Sequence, residues 1–144
     1  MGVLIHETLA FTTTVGAGGT SLIGTSGVDT VALNAGSVTA PIFIGAQADS
    51  DIVTFTAATN TATVDMGAGG DTVNTTAAVG TSTIRGNDGN DTINIAAGLR
   101  ASWFNGNQGN DTITVAGTMT ASSIHGGQGT DTITSAGFTF SGGR

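Results

Sequence analysis

A nine-residue segment returns at a fixed spacing in the second half of the chain. It reads GNDGNDTIN from Gly86, GNQGNDTIT from Gly106 and GGQGTDTIT from Gly126, which gives a period of 20 residues. Aspartates extend this period towards the N-terminus at intervals of 22, 20, 20, 20 and 20 residues: Asp29, Asp51, Asp71, Asp91, Asp111 and Asp131. A fixed period of this length is typical of a solenoid, in which successive repeats stack on one another.

Apolar and polar residues alternate after each aspartate. The second residue after it is always β-branched, which predicts one column facing the core: Val31, Val53, Val73, Ile93, Ile113 and Ile133. Another strand precedes each glycine-rich loop, and its predicted inward column is Leu22, Phe43, Val64, Ile84, Phe104 and Ile124. Alternation with a period of two is typical of half-buried strands. Two single-residue insertions account for the 22-residue interval, and we place one near Ala40 and the other within GAQADSD.

Each 20-residue unit is thus predicted to run strand, loop, strand, loop. The fold class is an all-β solenoid of parallel strands, with about six coils over residues 20–140. Residues 1–19 form a partial N-terminal coil or cap, in which Ile5, Leu9 and Phe11 close the first end. Phe138 and Phe140 close the other end, and residues 141–144 form a short C-terminal tail.

Composition and charge exclude several classes of function. The net charge is -7, and the only basic residues besides histidine are Arg85, Arg100 and Arg144, so we expect no nucleic-acid partner. The chain has no cysteine, which excludes disulfides and thiolate metal sites. The segment MGVLIHETLAFTTT has no basic start and no long apolar core, so we expect neither a classical signal peptide nor a membrane span.

The acidic residues are concentrated at the glycine-rich loops. Besides the six periodic aspartates, Asp49 and Asp88 lie in these loops. Carboxylates stacked about 4.8 Å apart repel one another, and a hard divalent cation held by carboxylate and carbonyl oxygens relieves that repulsion. The alternative without metal is that each aspartate only caps its own turn.

The loops resemble the nonapeptide of hemolysin-type calcium-binding (RTX) repeats, G-G-x-G-x-D-x-U-x with U large and apolar. The last copy matches every fixed position with Gly126, Gly127, Gly129, Asp131 and Ile133. Two copies lack only the second glycine: Gly86, Gly89, Asp91 and Ile93, and then Gly106, Gly109, Asp111 and Ile113. The first copy keeps the spacing of the nonapeptide with Gly24, Gly27, Asp29 and Val31. The second copy, GAQADSD with Asp49 and Asp51, is degenerate, and the third, MGAGGD with Gly69 and Asp71, is a looser match.

This resemblance implies a right-handed parallel β-roll that binds Ca²⁺ between the loops of successive coils. Carried over to this chain, it implies about three ions, between Asp71 and Asp91, Asp91 and Asp111, and Asp111 and Asp131. The implied ligands come from the carboxylates and glycine-region carbonyls of those loops, with Asp88 beside them and weaker sites in the first coils. The other turn of the coil carries no acid, as in AAGLRA, so calcium is expected along one edge only.

No catalytic constellation is visible, so we expect a non-enzymatic structural protein. Because no leader is expected, a virion decoration or tail-associated protein is favoured, and a subunit of an extracellular surface layer or filament is the alternative. Ile23 and Ile44 are predicted to face outward and to form an assembly surface for self-association or a larger lattice. A further alternative is ice binding by the outward file of Thr and Asn, for example at Thr112 and Thr132.

Overall fold

The computed structural model describes residues 3–5, 10–13, 20–33 and 41–136, and every regular element within these ranges is a β-strand. The strands form three sheets of parallel strands. In these ranges there is no helix, and hence none that is long and apolar enough to cross a membrane.

Two seven-stranded sheets and one four-stranded sheet make up the structure. The first sheet consists of β1 (Val3–Ile5), β3 (Thr20–Ile23), β5 (Ile42–Ala48), β8 (Ala62–Ala68), β11 (Thr83–Asp88), β14 (Trp103–Gln108) and β17 (Ser123–Gln128). The second sheet consists of β2 (Ala10–Thr13), β4 (Thr30–Leu33), β6 (Ile52–Phe55), β9 (Thr72–Thr75), β12 (Thr92–Ile95), β15 (Thr112–Val115) and β18 (Thr132–Ser135). The third sheet consists of β7 (Thr59–Asn60), β10 (Val79–Gly80), β13 (Leu99–Arg100) and β16 (Met119–Thr120).

Equivalent residues of successive coils pair directly, for example Ile93 with Ile113 and Ile84 with Phe104. The prediction of an all-β parallel solenoid is therefore confirmed, and residues 41–136 make about five turns. The predicted unit of two strands is incomplete, because each of these coils crosses the third sheet with a two-residue strand before it returns to the first sheet. Each coil consequently has three sides, and the glycine-rich loop joins the first side to the second.

The core lies between the three sheets, where equivalent apolar side chains of successive coils stack on one another. The second sheet contributes Val53, Val73, Ile93 and Ile113, which are at most 1% exposed, as the period-two pattern predicted. The first sheet contributes Val64, Ile84 and Phe104, and the third contributes Val79 and Leu99. A single coil buries little apolar area, so each coil depends on its neighbours for stability.

The predicted positions of Phe43 and Ile44 are wrong. Ile44 pairs with Leu22 and Val64 and is buried at 1% exposure, whereas Phe43 faces outward at 36% exposure. The pairings show that both extra residues of the long interval fall between Leu33 and Ile42, and none falls within GAQADSD. A shift of one residue reverses the direction of every side chain in a strand. Ile44 therefore lies in the core and is not part of the proposed assembly surface.

The turn opposite the glycine-rich loop is held by a column of serines. The hydroxyl of Ser82 accepts a hydrogen bond from the N–H of Ala62, and Ser102 does the same for Ser82. Each of these hydroxyls also donates to a carbonyl two residues earlier, at Gly80 and Arg100 respectively. The serine hydroxyls of this edge therefore have partners both in their own turn and in the preceding coil.

The expected end caps are only partly covered by the structure. Leu9, Phe138, Phe140 and the tail 141–144 lie outside the described residues. The half-buried Met119, Ile124 and Ile133 pack against the core from the last described strand of each sheet.

Candidate metal site

The periodic aspartates occupy one equivalent position in each coil. Each stands at the end of the glycine-rich loop, immediately before a strand of the second sheet. Asp51, Asp71, Asp91 and Asp111 are 1–2% exposed, so their carboxylates lie inside the solenoid. Buried carboxylates are costly unless they are paired or hydrogen-bonded, which makes their partners decisive.

One oxygen of each carboxylate connects two coils. Oδ1 of Asp71 accepts a hydrogen bond from the backbone N–H of Asp51 at 2.8 Å, and Oδ1 of Asp91 accepts from Asp71 at 2.9 Å. The same bond joins Asp91 to Asp111 at 2.8 Å and Asp111 to Asp131 at 2.9 Å. These aspartates therefore do not act as caps of their own turns, which was the alternative without metal. The hydrogen bonds of their Oδ1 atoms reach the preceding coil instead.

The second oxygen of these carboxylates is buried without a hydrogen bond. This group consists of Oδ2 of Asp51, Asp71, Asp91 and Asp111, here called the inner Oδ2 atoms, and none has a partner among the described residues. Buried polar atoms in folded proteins are nearly always satisfied, so an exception that recurs in four coils requires an explanation.

Glycine gives two of the inner Oδ2 atoms, those of Asp91 and Asp111, their space. A Cβ atom at Gly106 would lie 1.9 Å from Oδ2 of Asp111 and 2.5 Å from the carbonyl oxygen of Gly126 in the next coil. The equivalent Cβ at Gly86 would lie 1.9 Å from Oδ2 of Asp91 and 2.8 Å from the oxygen of Gly106. The absent side chain therefore leaves a notch where a carboxylate and a carbonyl oxygen approach the same point.

Burial is the main influence on these carboxylates. It raises the pKa of Asp51 to about 6 and that of Asp91 to about 7. Burial also raises the pKa of Asp71 and Asp111, and in all four the hydrogen bond from the preceding coil opposes the shift. Neighbouring carboxylates raise the pKa of Asp91 further, since negative charges in one column repel one another.

The notch is absent from two coils. Ala46 and Met66 occupy the position of Gly86 and Gly106, and the side chain of Met66 is fully buried there. The looser match of these two loops to the nonapeptide therefore has a physical counterpart in the packing.

The coil that carries Asp29 has hydrogen-bond donors for two oxygens of this site. Oδ2 of Asp29 accepts a hydrogen bond from the N–H of Thr25 at 2.6 Å, and the carbonyl of Gly24 accepts one from the side-chain amide of Gln47. In this coil the aspartate does cap its own turn. Among the weaker predicted ligands Gly24, Gly27 and Asp29, the Oδ2 atom of Asp29 is thus already hydrogen-bonded. Sequence reasoning missed Thr25, although a hydroxyl residue four positions before the aspartate is visible in the sequence.

Two predicted ligands lie outside the column. Asp49 and Asp88 are exposed, and Oδ1 of Asp88 accepts a hydrogen bond from the side chain of Gln108 at 2.8 Å. Asp88 still affects the column electrostatically, since its charge raises the pKa of Asp91. The half-exposed Asp131 continues the ladder of carboxylates at the last described coil.

The remaining predicted glycines shape the loop. Gly69, Gly89, Gly109, Gly127 and Gly129 have positive φ angles, from 115° to 153°. A Cβ at Gly109 would lie 1.8 Å from the carbonyl oxygen of Gly89, so the loops of successive coils touch through their backbones. Gly27 is different, because the space around it is open.

The oxygen atoms at each notch are donors of the kind that a hard cation accepts. Within the described ranges, no three His, Cys, Asp or Glu side chains come close enough together to hold a metal ion. Each notch instead offers a carboxylate oxygen with a carbonyl oxygen beside it, and calcium accepts such mixed sets. Comparison of the chain with protein-family models, with curated proteins and with solved structures found no match.

Proposed function

We propose that this chain is a non-enzymatic structural solenoid whose fold is completed by Ca²⁺ bound along the aspartate column. The observation that carries the proposal is the set of inner Oδ2 atoms, which recur in four successive coils and find no hydrogen-bond donor within the described residues. A bound cation would neutralise these carboxylates and supply the missing partner.

The notches favour particular coils. The best donor sets lie between Asp91 and Asp111 and between Asp111 and Asp131, where Gly86 and Gly106 let the carboxylate and a carbonyl oxygen of the next coil come close together. The site between Asp71 and Asp91 would include the loop that carries Met66 in place of glycine, and it should be the weakest of the three. Asp29 already has a donor from Thr25, so no ion is proposed there.

Calcium-binding calorimetry on the full chain tests this proposal. We expect two or three ions per chain, about the number implied by the nonapeptide loops. Asp111→Asn should remove up to two of them, because Asp111 borders both favoured sites. Asp88→Asn is the matched control, since Asp88 is acidic and lies in a loop but is exposed, and it should leave the ion count unchanged. No calcium binding by the unmodified chain would refute the proposal.

We further propose that the solenoid serves in an extracellular or virion surface assembly, as a decoration, tail-associated protein, surface-layer subunit or filament. Apolar exposure in the first coils supports this: Val28, Phe43 and Ile52 are 53%, 36% and 39% exposed. Phe43 also lies beside Gly45, across which Ile23 packs, so Ile23 and Phe43 form one apolar patch on the first sheet. Such patches are typical of contact surfaces.

Ice binding is a second candidate, and the register of the second sheet favours it. Thr72, Thr92, Thr112 and Thr132 pair in successive coils and form a straight outward file. Ile52 interrupts this file, and the neighbouring Asn94 donates to Asn74 at 3.0 Å, so part of the face is already hydrogen-bonded. Ice crystals grown with the protein should acquire facets, and Thr112→Leu with Thr132→Leu should abolish the effect. Unaltered crystal growth with the folded protein would exclude this candidate.

A further inference from the structure

A polar cavity of about 470 Å³ lies on the outer face of the first sheet, away from the inner Oδ2 atoms. Strands β11, β14 and β17 line it, and its principal side chains are those of Arg85, Asn87, Asp88, Asn105, Asn107 and Gln108. Its volume falls within the range of about 300–1,000 Å³ that is usual for small-molecule sites. Every lining residue is polar, charged or glycine, so the cavity suits a hydrophilic ligand.

The solenoid does not need the side chains of Asn87, Asp88 and Asn107. Gly67 and Ala68 occupy the positions of Asn87 and Asp88 in the preceding coil, and Gly127 occupies that of Asn107 in the following coil. The same strand therefore forms with almost no side chain at these positions. The cluster is confined to neighbouring coils, which is the arrangement expected of a binding site placed on a repetitive scaffold.

Two of the asparagines adopt a backbone conformation that favours glycine. Asn87 and Asn107 have φ angles of 80° and 81°, whereas Gly67 and Gly127 have φ angles of 108° and 115°. Asparagine tolerates positive φ better than most residues but less well than glycine. Two cavity amides are thus present where glycine would fit the backbone more easily, and Gln47 takes the same position in an earlier coil.

The amides are held in place by one another. Nδ2 of Asn107 donates to Oδ1 of Asn87 at 3.1 Å, and Nε2 of Gln108 donates to Oδ1 of Asp88 at 2.8 Å. The side chain of Asn105 donates to that of Asn107. These bonds fix the amide planes while leaving further donors and acceptors on each group, so the polar surface is organised before a ligand arrives.

An aromatic side chain lies next to the cavity, in contact with the lining residue Arg85. The guanidinium of Arg85 lies 5.5 Å from the ring centroid of Trp103, and the ring of His125 lies 5.9 Å from it on the next coil. Arg85 also pairs with Asp65 at 2.9 Å, so its charge is partly neutralised. The cavity therefore combines amides with a compensated charge, and a half-buried aromatic ring lies beside it.

We propose that this cavity binds a neutral oligosaccharide. Sugar hydroxyls both donate and accept hydrogen bonds, which matches the side-chain amides, and the apolar faces of sugar rings can contact an aromatic ring such as Trp103. The lining holds no apolar side chain that would favour an apolar ligand, and a polyanion would be repelled by the net charge of -7. The proposal rests on the outer face alone and does not depend on bound calcium.

Fluorescence titration tests this proposal, because Trp103 is the only tryptophan and the chain has no tyrosine. The calcium-loaded full chain is titrated with cellohexaose, maltohexaose and chitohexaose, each up to about 10 mM, which covers weak affinities. We expect a saturable change in Trp103 emission with at least one of them. No saturable change with any of the three, or a response to an acidic polysaccharide only, would overturn the proposal.

The matched variant is Asn87→Gly with Asn107→Gly. Both positions carry glycine in a flanking coil, so the melting temperature should be retained while hydrogen bonds to the ligand are lost. The affinity should fall about tenfold or more. Thr114→Ala on the second sheet is the control and should bind like the unmodified chain. Undiminished binding by the double variant would place the ligand elsewhere and would also overturn the proposal.

Discussion

The backbone N–H of Asp91 donates a hydrogen bond to Oδ1 of Asp111 across 2.8 Å, from one coil to the next. The same carboxylate has its other oxygen, Oδ2, buried beside Gly106 and the carbonyl oxygen of Gly126. One side chain thus belongs both to a ladder between coils and to a candidate ion site. Substitutions in this column should therefore have opposite effects in the presence and in the absence of calcium.

Asp111→Asn separates these two roles. Asparagine keeps an oxygen for the N–H of Asp91 and places an NH₂ group where the inner Oδ2 atom was, so it can donate to a carbonyl and carries no charge. Without calcium, the variant should be more stable than the unmodified chain by roughly 1 kcal/mol or more. With calcium, it should be less stable, because ion binding is lost. Chemical denaturation in calcium and in chelator measures both effects, and the same sign in the two conditions would contradict the account.

The stability of the metal-free chain should depend on pH. Burial raises the pKa of Asp51 to about 6 and that of Asp91 to about 7, from 3.8. Between about pH 4 and pH 7 the folded state then holds more protons than the unfolded state, so stability is highest near pH 4 and falls as the pH rises. Denaturation midpoints measured in chelator across this range check the direction. A midpoint that rises with pH would show that these carboxylates are stabilised as anions without metal.

Gly106→Ala tests the notch. The new Cβ would lie 1.9 Å from Oδ2 of Asp111, so the carboxylate must move, and we expect a loss of roughly 1–3 kcal/mol together with weaker calcium binding. Gly27→Ala is the matched control, because its nearest contact would be 3.8 Å away and ordinary. Thermal unfolding and calcium titration of both variants provide the comparison. Equal stability and equal calcium affinity would mean that the notch has no role.

Phe43→Asp tests the proposed assembly surface. Phe43 is 36% exposed and does not belong to the core, so the substitution should leave the melting temperature nearly unchanged. Light scattering of the unmodified chain in calcium should show association at high concentration, and the variant should stay monomeric. Val28→Asp, in the neighbouring loop, tests whether the contact extends beyond the first sheet. Association that persists in both variants would exclude these apolar residues as the contact.

Much of the fold was predictable from the sequence. The strict period predicts that coils stack, and the two-residue alternation predicts which side chains of a strand are buried. Ile93 and Ile113 lie in the predicted inward column. Phe43 and Ile44 were assigned to the wrong sides because both are apolar, so the pattern alone did not locate the insertions of the long interval. The third sheet was missed since strands of two residues, such as Val79–Gly80, are too short to show alternation.

The candidate site was predictable in its residues but only partly in its chemistry. The recurrence of aspartate indicated a column, and the structure places Asp71, Asp91 and Asp111 in it. The hydrogen bond from the preceding coil was not foreseen, because it depends on the stacking register and not on local sequence. Asp49 and Asp88 were grouped with the column by composition alone, and their exposure reflects the outward direction of the loop at those positions.

Thermal unfolding of the full chain at pH 7, in calcium and in chelator, is the most direct test of calcium-dependent stability. Ions that bind only the folded state stabilise it by about 2.7 kcal/mol per site at a concentration of 100 times the dissociation constant. The account predicts a melting temperature at least about 5 °C higher in millimolar calcium than in chelator. It also predicts that sodium at the same ionic strength will not reproduce the difference. Coincident melting curves in calcium and in chelator would contradict the account.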